Sequence, residues 1–85
     1  MGEMAGAPIL VKQLTRLLGD TDAYVREGAA RALGRLGASA ATNDVIAALT
    51  QAMQDGEITV HEAASDSISR LRETRQSPFQ ITASA

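Results

Sequence analysis

The chain has 85 residues, no cysteine, and a net charge of −2 from eight basic and ten acidic residues. This length allows one small domain, and the absence of cysteine excludes disulfides and thiolate metal sites. The charge balance lacks the basic excess that is typical of nucleic-acid binders. An apolar fraction of 45% with only two aromatic residues, Tyr24 and Phe79, favours closely packed helices over a β-sandwich.

The N-terminal residues lack the basic start and the apolar stretch of a signal peptide, and no apolar run reaches membrane-spanning length. We therefore expect a soluble, cytoplasmic protein that binds neither nucleic acid nor membrane.

An internal repeat organises most of the chain. Residues 9–37 align with residues 44–72 without a gap, at an offset of 35 residues. The identical pairs include Leu14/Leu49, Asp20/Asp55, Val25/Val60, Glu27/Glu62, Ala29/Ala64, Arg35/Arg70 and Leu36/Leu71. A period of this length is typical of stacked supersecondary units.

The first unit, residues 8–37, is predicted to be a helical hairpin. Helix one starts near Pro8, because proline suits a first helical turn, and its leucines follow a three-to-four-residue spacing up to Leu18. Residues 19–22 have the composition of a turn. Helix two is predicted from Ala23 to Leu36, with Gly37 as its end and with an inward stripe formed by Val25, Ala29, Leu33 and Leu36.

The second unit, residues 43–73, repeats this pattern. Helix three is predicted to follow an N-cap at Thr42. Helix four is predicted to begin with a capping box from Thr59 to Glu62 and to end before Ser77-Pro78. The two units fill residues 8–75. We expect residues 1–7 and 76–85 to be flexible.

The first unit resembles the HEAT-repeat family, particularly the short bacterial HEAT-like repeats of the bilin-lyase type. The matching residues are a turn aspartate, a Val-Arg pair five residues later, and a helix of small residues that ends in leucine and glycine: Asp20, Val25, Arg26, Ala29, Ala30, Leu33, Gly34, Leu36 and Gly37. The resemblance covers residues 8–73. It implies an all-α fold, an α-α superhelix of two HEAT-like hairpins with four main helices.

The resemblance also implies a ladder between units. In the family, the turn aspartate and the arginine that follows it link successive repeats through hydrogen bonds. Asp20 and Arg26 occupy these positions in the first unit, and Asp55 and His61 occupy them in the second. Because histidine replaces arginine there, we expect a weaker link at the C-terminal end.

The function implied by the resemblance is non-enzymatic protein binding or scaffolding, either as the C-terminal end of a HEAT array or as a small self-associating HEAT protein. The second helices line the inner surface of such arrays, so we expect partner-binding residues there: Glu27, Arg31, Arg35, Asp66, Arg70 and Arg72. A solvated surface with incidental salt bridges is the alternative interpretation.

Helix one carries more apolar residues than one packing side can bury, and two units are fewer than the three that a stable array usually needs. Ile9, Leu10, Val11 and Leu17 are therefore predicted to be covered by another copy of the chain or by neighbouring repeats. The C-terminal helix, by contrast, carries the polar residues of a terminal capping repeat, such as Ser65, Asp66 and Ser69.

The alternative function is a HEAT-like enzyme or chromophore lyase. His61-Glu62 resembles the pairs through which deoxyhypusine hydroxylase, also built from HEAT-like repeats, binds two irons. The first unit has Arg26-Glu27 at this position, so one chain does not assemble the set. Bilin lyases also contain such repeats, but neither a thiol nor an aromatic cluster supports that activity here. We expect no catalytic residue, cofactor or metal.

Overall fold

The computed structural model describes residues 2–84, and the side chains of residues 8–73. Four α-helices follow one another: α1 (Gly2–Leu17), α2 (Ala23–Leu36), α3 (Asn43–Ala52) and α4 (Ile58–Ser84), with a short 3₁₀ turn at Gly37–Ala40. Helices α1 and α2 form one hairpin, α3 and α4 form a second, and the hairpins stack mainly through α2 and α4. No strand occurs among residues 2–84, and the predicted all-helical repeat fold is confirmed.

The bounds of α2 agree with those predicted. The Asp22 side chain caps the helix by accepting a hydrogen bond from the Tyr24 N–H at 2.9 Å, which satisfies a donor that the first turn leaves unpaired. At the other end, Gly37 has a φ of 63°, a conformation that residues with a Cβ rarely adopt. The glycine therefore ends α2 and turns the chain into the 3₁₀ segment.

The starts of α3 and α4 differ in how they are capped. The Thr42 hydroxyl accepts a hydrogen bond from the Val45 N–H at 3.2 Å, as predicted for an N-cap. The capping box predicted at Thr59 is wrong, because α4 already begins at Ile58. The preceding turn is held instead by Asp55, whose Oδ1 accepts the Glu57 N–H at 2.9 Å, so the first helical bonds form one residue earlier.

Helices α1 and α4 are longer than the sequence predicts. Helix α1 begins at Gly2 and contains Pro8, and α4 continues to Ser84, past Pro78. Pro8 does not mark the first turn of α1, as predicted, but lies inside the helix, where a proline removes one backbone hydrogen bond. The flexibility expected for residues 1–7 and 76–85 stays a prediction, since those side chains lie outside the described residues.

The core lies between the two hairpins. Of the inward stripe predicted for helix two, Ala29 and Leu33 are buried, whereas Val25 and Leu36 are only partly buried. Leu49 and Ile68 of the second unit are also buried. The other large buried side chains are Leu18, Val45, Val60 and Leu71. Alanines fill the remaining core positions, which lets the helices approach closely. In the described part of the chain, no helix is both long and apolar enough to span a membrane.

The two units approach each other closely at Gly34 of α2 and Ser67 of α4. A Cβ built on Gly34 would lie only 2.8 Å from the Ser67 Cβ. The buried Ser67 hydroxyl donates a hydrogen bond to the Ala30 carbonyl oxygen, so its polar group is satisfied. By contrast, α1 and α3 scarcely touch.

Candidate functional site

The second helices of the two units form a mixed-charge surface, here called the α2–α4 surface. It comprises Glu27, Arg31, Arg35, Asp66, Arg70 and Arg72. A shallow cleft of about 70 Å³ lies between the helices and is lined by Arg31, Arg35, Asp66, Ser67 and Arg70. Four of the six residues predicted to bind a partner therefore meet at this cleft. Arg72 is exposed farther along α4, and Glu27 is partly buried on α2.

Two ion pairs join neighbouring residues of this surface. The Arg31 Nε lies 3.1 Å from the Glu27 Oε2, and the Arg70 Nε lies 3.3 Å from the Asp66 Oδ2. Exposed pairs one helical turn apart contribute little to stability, so a partner can replace them at small cost. Arg35 is exposed and forms no ion pair within residues 8–73.

Arg26 connects the two units at the turns between their helices. Its Nε lies 2.7 Å from the Asp55 Oδ2 and its Nη2 lies 3.1 Å from the Asp55 Oδ1, which is a bidentate pair. Its Nη1 donates to the carbonyl oxygens of Asp20 and Thr21, at 2.8 and 3.0 Å. One guanidinium therefore holds its own turn and the turn of the next unit.

This pair shifts the titration of both groups. The hydrogen bonds from Arg26, and next the bond from the Glu57 N–H, hold the pKa of the Asp55 carboxyl below its ordinary value. The hydrogen bond to Asp55 likewise raises the pKa of the Arg26 guanidinium. Both side chains are partly buried, so the ionised pair is screened less than a fully exposed one.

Asp20 and His61, which correspond in the repeat to Asp55 and Arg26, do not form such an ion pair within residues 8–73. The Asp20 Oδ1 accepts the Asp22 N–H at 2.8 Å, but no basic side chain among residues 8–73 forms an ion pair with Asp20. His61 is exposed and places its Nδ1 against the Met53 carbonyl oxygen. Since a carbonyl only accepts, the His61 Nδ1 carries the proton in this arrangement.

The apolar residues predicted for self-association all lie on α1. Ile9, Leu10 and Leu17 are exposed, and Val11 is partly buried against the core. Tyr24 and Ile58 are two further exposed apolar side chains that the sequence analysis did not single out. The sequence distinguishes both residues in one way, because neither is repeated in the other unit. The residue 35 positions after Tyr24 is Thr59, and the residue 35 positions before Ile58 is Ala23.

A groove separates α1 from α3 on the opposite side of the molecule. It consists of two adjoining cavities of about 560 and 500 Å³. Thr15 and Arg16 line both cavities, and the first is also lined by Pro8, Val11, Lys12, Ser39, Thr42, Asp44 and Val45.

The His61-Glu62 pair of the alternative function is exposed. Among the described residues, no three side chains of His, Asp or Glu lie close enough together to hold a metal.

Comparison with known proteins agrees with the stacked hairpins. The family model described as HEAT repeats matches residues 1–69. No curated protein matches the chain, and no solved structure matches it. Since the family match covers most of the sequence and both described hairpins contribute to it, the chain belongs to the HEAT-repeat family.

Proposed function

We propose that this protein is a non-enzymatic binding module that presents the α2–α4 surface to an acidic segment of another protein. HEAT repeats generally mediate protein–protein interaction or scaffolding. The observation that carries the proposal is the convergence of Arg31, Arg35 and Arg70 on one cleft, with Arg35 unpaired in the described part of the chain. The cytoplasmic location remains a prediction from the sequence.

The charges support a partner that carries carboxylates. Arg31 and Arg70 each have an acidic neighbour on the same helix, whereas Arg35 offers its full set of donors to a ligand. A guanidinium binds a carboxylate through two parallel hydrogen bonds, which fixes orientation as well as charge. Because the cleft is shallow, we expect a partner that lies across both helices and does not insert deeply.

A second proposed contact involves the apolar side of α1. Ile9, Leu10, Val11 and Leu17 support an interaction with another copy of the chain or with a neighbouring repeat. Exposed aliphatic side chains on one helix favour association because burying them removes apolar surface from water.

The test of the α2–α4 surface is a set of matched charge reversals. Partners captured by the natural protein are identified, and each purified partner is then titrated against Arg35→Glu, Arg70→Glu and the control Arg16→Glu. Arg16 is also exposed, but it lies on α1 beside the other groove. We expect Arg35→Glu to weaken binding at least tenfold, because it replaces the guanidinium with a carboxylate that repels the carboxylates of the partner. We expect Arg16→Glu to leave binding unchanged.

Equal binding by Arg35→Glu and the natural chain would contradict the proposal. Loss of binding on Arg16→Glu alone would move the site to the groove between α1 and α3.

A further inference from the structure

Two rows of charged residues run along α2 and α4. Each helix contributes three members at intervals of four residues, a spacing that keeps them on one side of the helix. Glu27, Arg31 and Arg35 form what we call the α2 row, and Glu62, Asp66 and Arg70 form what we call the α4 row. Each member of one row is the counterpart of a member of the other row in the 35-residue repeat.

The rows lie beside each other because the two units stack. Arg31 and its counterpart Asp66 line the cleft together, and so do Arg35 and its counterpart Arg70. The glutamate of each row, at positions 27 and 62, continues it by one turn towards the N-terminal end of its helix. Across the two helices, the charges are therefore both acidic at one end, opposite in the middle and both basic at the other end.

Ion pairs within the rows leave one charge of each row unpaired. On α2 the first two members pair, since the Arg31 Nε lies 3.1 Å from the Glu27 Oε2. On α4 the last two members pair, through Asp66. Arg35 and Glu62 are both exposed, and neither forms an ion pair within residues 8–73. The difference arises at the middle position, where α2 has an arginine and α4 has an aspartate.

Arg35 and Glu62 stand at opposite corners of the two rows. The ends of a row are eight residues apart, which is about 12 Å along a helix, and packed helices have axes about 8–10 Å apart. The diagonal between the two charges is therefore about 15 Å. In an extended segment, side chains four residues apart point to the same side and are separated by about 13 Å. Two charged side chains at that spacing match the diagonal.

A segment that carries only acidic residues complements only one of these corners. A carboxylate at Arg35 also faces Arg31 and Arg70, because all three arginines line the cleft. A second carboxylate at the other corner would meet Glu62, with Glu27 beside it. Like charges brought together at an interface disfavour binding. The corner at Glu62 therefore selects a basic side chain.

We propose that the segment bound by the α2–α4 surface is extended, crosses from α2 to α4, and carries an acidic and a basic residue four positions apart. The acidic residue binds Arg35 and the basic residue binds Glu62. The ion pairs within the two rows remain intact. This inference rests on the proposed function, which requires the acidic residue at Arg35, and adds to it the basic residue and the spacing.

The test uses short synthetic peptides of alanine, serine and threonine that differ only at two charged positions. The Glu–Lys, Glu–Glu and Lys–Lys peptides carry these charges four residues apart. Titration of each peptide into the labelled full chain, followed by the shifts of its amide NMR signals, gives the Kd. We expect the natural chain to bind the Glu–Lys peptide at least fivefold more tightly than the Glu–Glu peptide. Glu–Lys peptides with spacings of two or six residues should bind more weakly.

Reversal of one corner charge should change which peptide binds best. We expect Glu62→Lys to bind the Glu–Glu peptide most tightly and Arg35→Glu to bind the Lys–Lys peptide most tightly. Glu62→Gln, which removes the charge without reversing it, should bind the Glu–Lys and Glu–Glu peptides about equally. The matched control is Asp44→Lys, an exposed position on α3 beside the other groove, which should keep the natural preference. Because each result is a preference between peptides, a partly unfolded variant does not imitate it.

The outcomes separate this inference from the proposed function. If the natural chain binds the Glu–Glu peptide as tightly as the Glu–Lys peptide and Arg35→Glu weakens both, the proposed function stands and the inference is wrong. If Arg35→Glu weakens neither, both are wrong. An unchanged preference in Glu62→Lys would refute the inference alone, and so would the absence of binding by every peptide at millimolar concentration.

Discussion

The Ser67 side chain occupies the space that a side chain on Gly34 would need. A Cβ on Gly34 would lie 2.8 Å from the Ser67 Cβ and 3.0 Å from its Cα. We expect Gly34→Ala to lower the free energy of unfolding by roughly 1–3 kcal/mol through overpacking, although alanine is the better helix former.

The matched control for this prediction is Gly28→Ala on the same helix, since nothing lies within 4 Å of a Cβ there. The free energy of unfolding of the Gly28→Ala variant should rise by up to about 1 kcal/mol, because alanine has the higher helix propensity. Urea denaturation followed by circular dichroism measures both changes. A stabilised Gly34→Ala variant would mean that α2 and α4 lie farther apart than described.

The Arg26–Asp55 pair predicts a loss of stability in acid. Because the pKa of folded Asp55 lies below its ordinary value of 3.8, the pair stabilises the fold fully above that value. The stabilisation is lost as the pH falls through the lower folded pKa. We expect Asp55→Asn to lower Tm at neutral pH and to reduce the Tm decrease below pH 3.8.

Asp66→Asn is the control for that measurement, because the Asp66–Arg70 pair is exposed. Thermal unfolding across the acid range should show almost the natural pH dependence for Asp66→Asn. If Asp55→Asn gave the same curve as Asp66→Asn, the turn-to-turn pair would not be a significant source of stability.

Truncations to alanine should separate the buried leucines of the core from the exposed Leu10 of α1. Leu33→Ala and Leu49→Ala remove fully buried side chains and should each cost about 2–5 kcal/mol, enough to unfold a domain of this size. Leu10→Ala, at an exposed position, should cost less than about 1 kcal/mol. Denaturant titration gives the values, and similar costs at Leu10 and Leu33 would show that Leu10 is covered.

The two threonines near helix starts should respond differently to alanine. Thr42→Ala removes the oxygen that accepts the Val45 N–H and should cost about 0.5–2 kcal/mol. Thr59→Ala, inside the first turn of α4, should be neutral or slightly stabilising, since alanine has the higher helix propensity. A larger loss at Thr59 than at Thr42 would restore the capping box predicted from the sequence.

The hairpins and their stacking could be predicted because the 35-residue offset repeats turn residues as well as leucines. Asp20 and Asp55 make the same turn in both units, so their local conformation was readable from the sequence. The sequence did not show which aspartate carboxylate binds Arg26, because that depends on how far one hairpin is rotated against the next. The structure has Arg26 binding the Asp55 carboxylate and only the carbonyl oxygen of Asp20.

Helix boundaries were less predictable where two local signals competed. The Thr59–Glu62 pattern is a valid capping signature, but Asp55 organises the turn before it and α4 starts earlier. The cleft between α2 and α4 was only partly foreseeable. The sequence placed its arginines on the second helices, whereas the narrow crossing that brings Arg35 towards Arg70 depends on Gly34 meeting Ser67.

The contact between the two units is uneven from one side of the molecule to the other. Gly34 and Ser67 hold the second helices at a short distance, while α1 and α3 are separated by a groove with cavities of about 560 and 500 Å³. Because the units are closer together along α2 and α4 than along α1 and α3, they stack as a wedge, with the arginine-bearing surface on its narrow side.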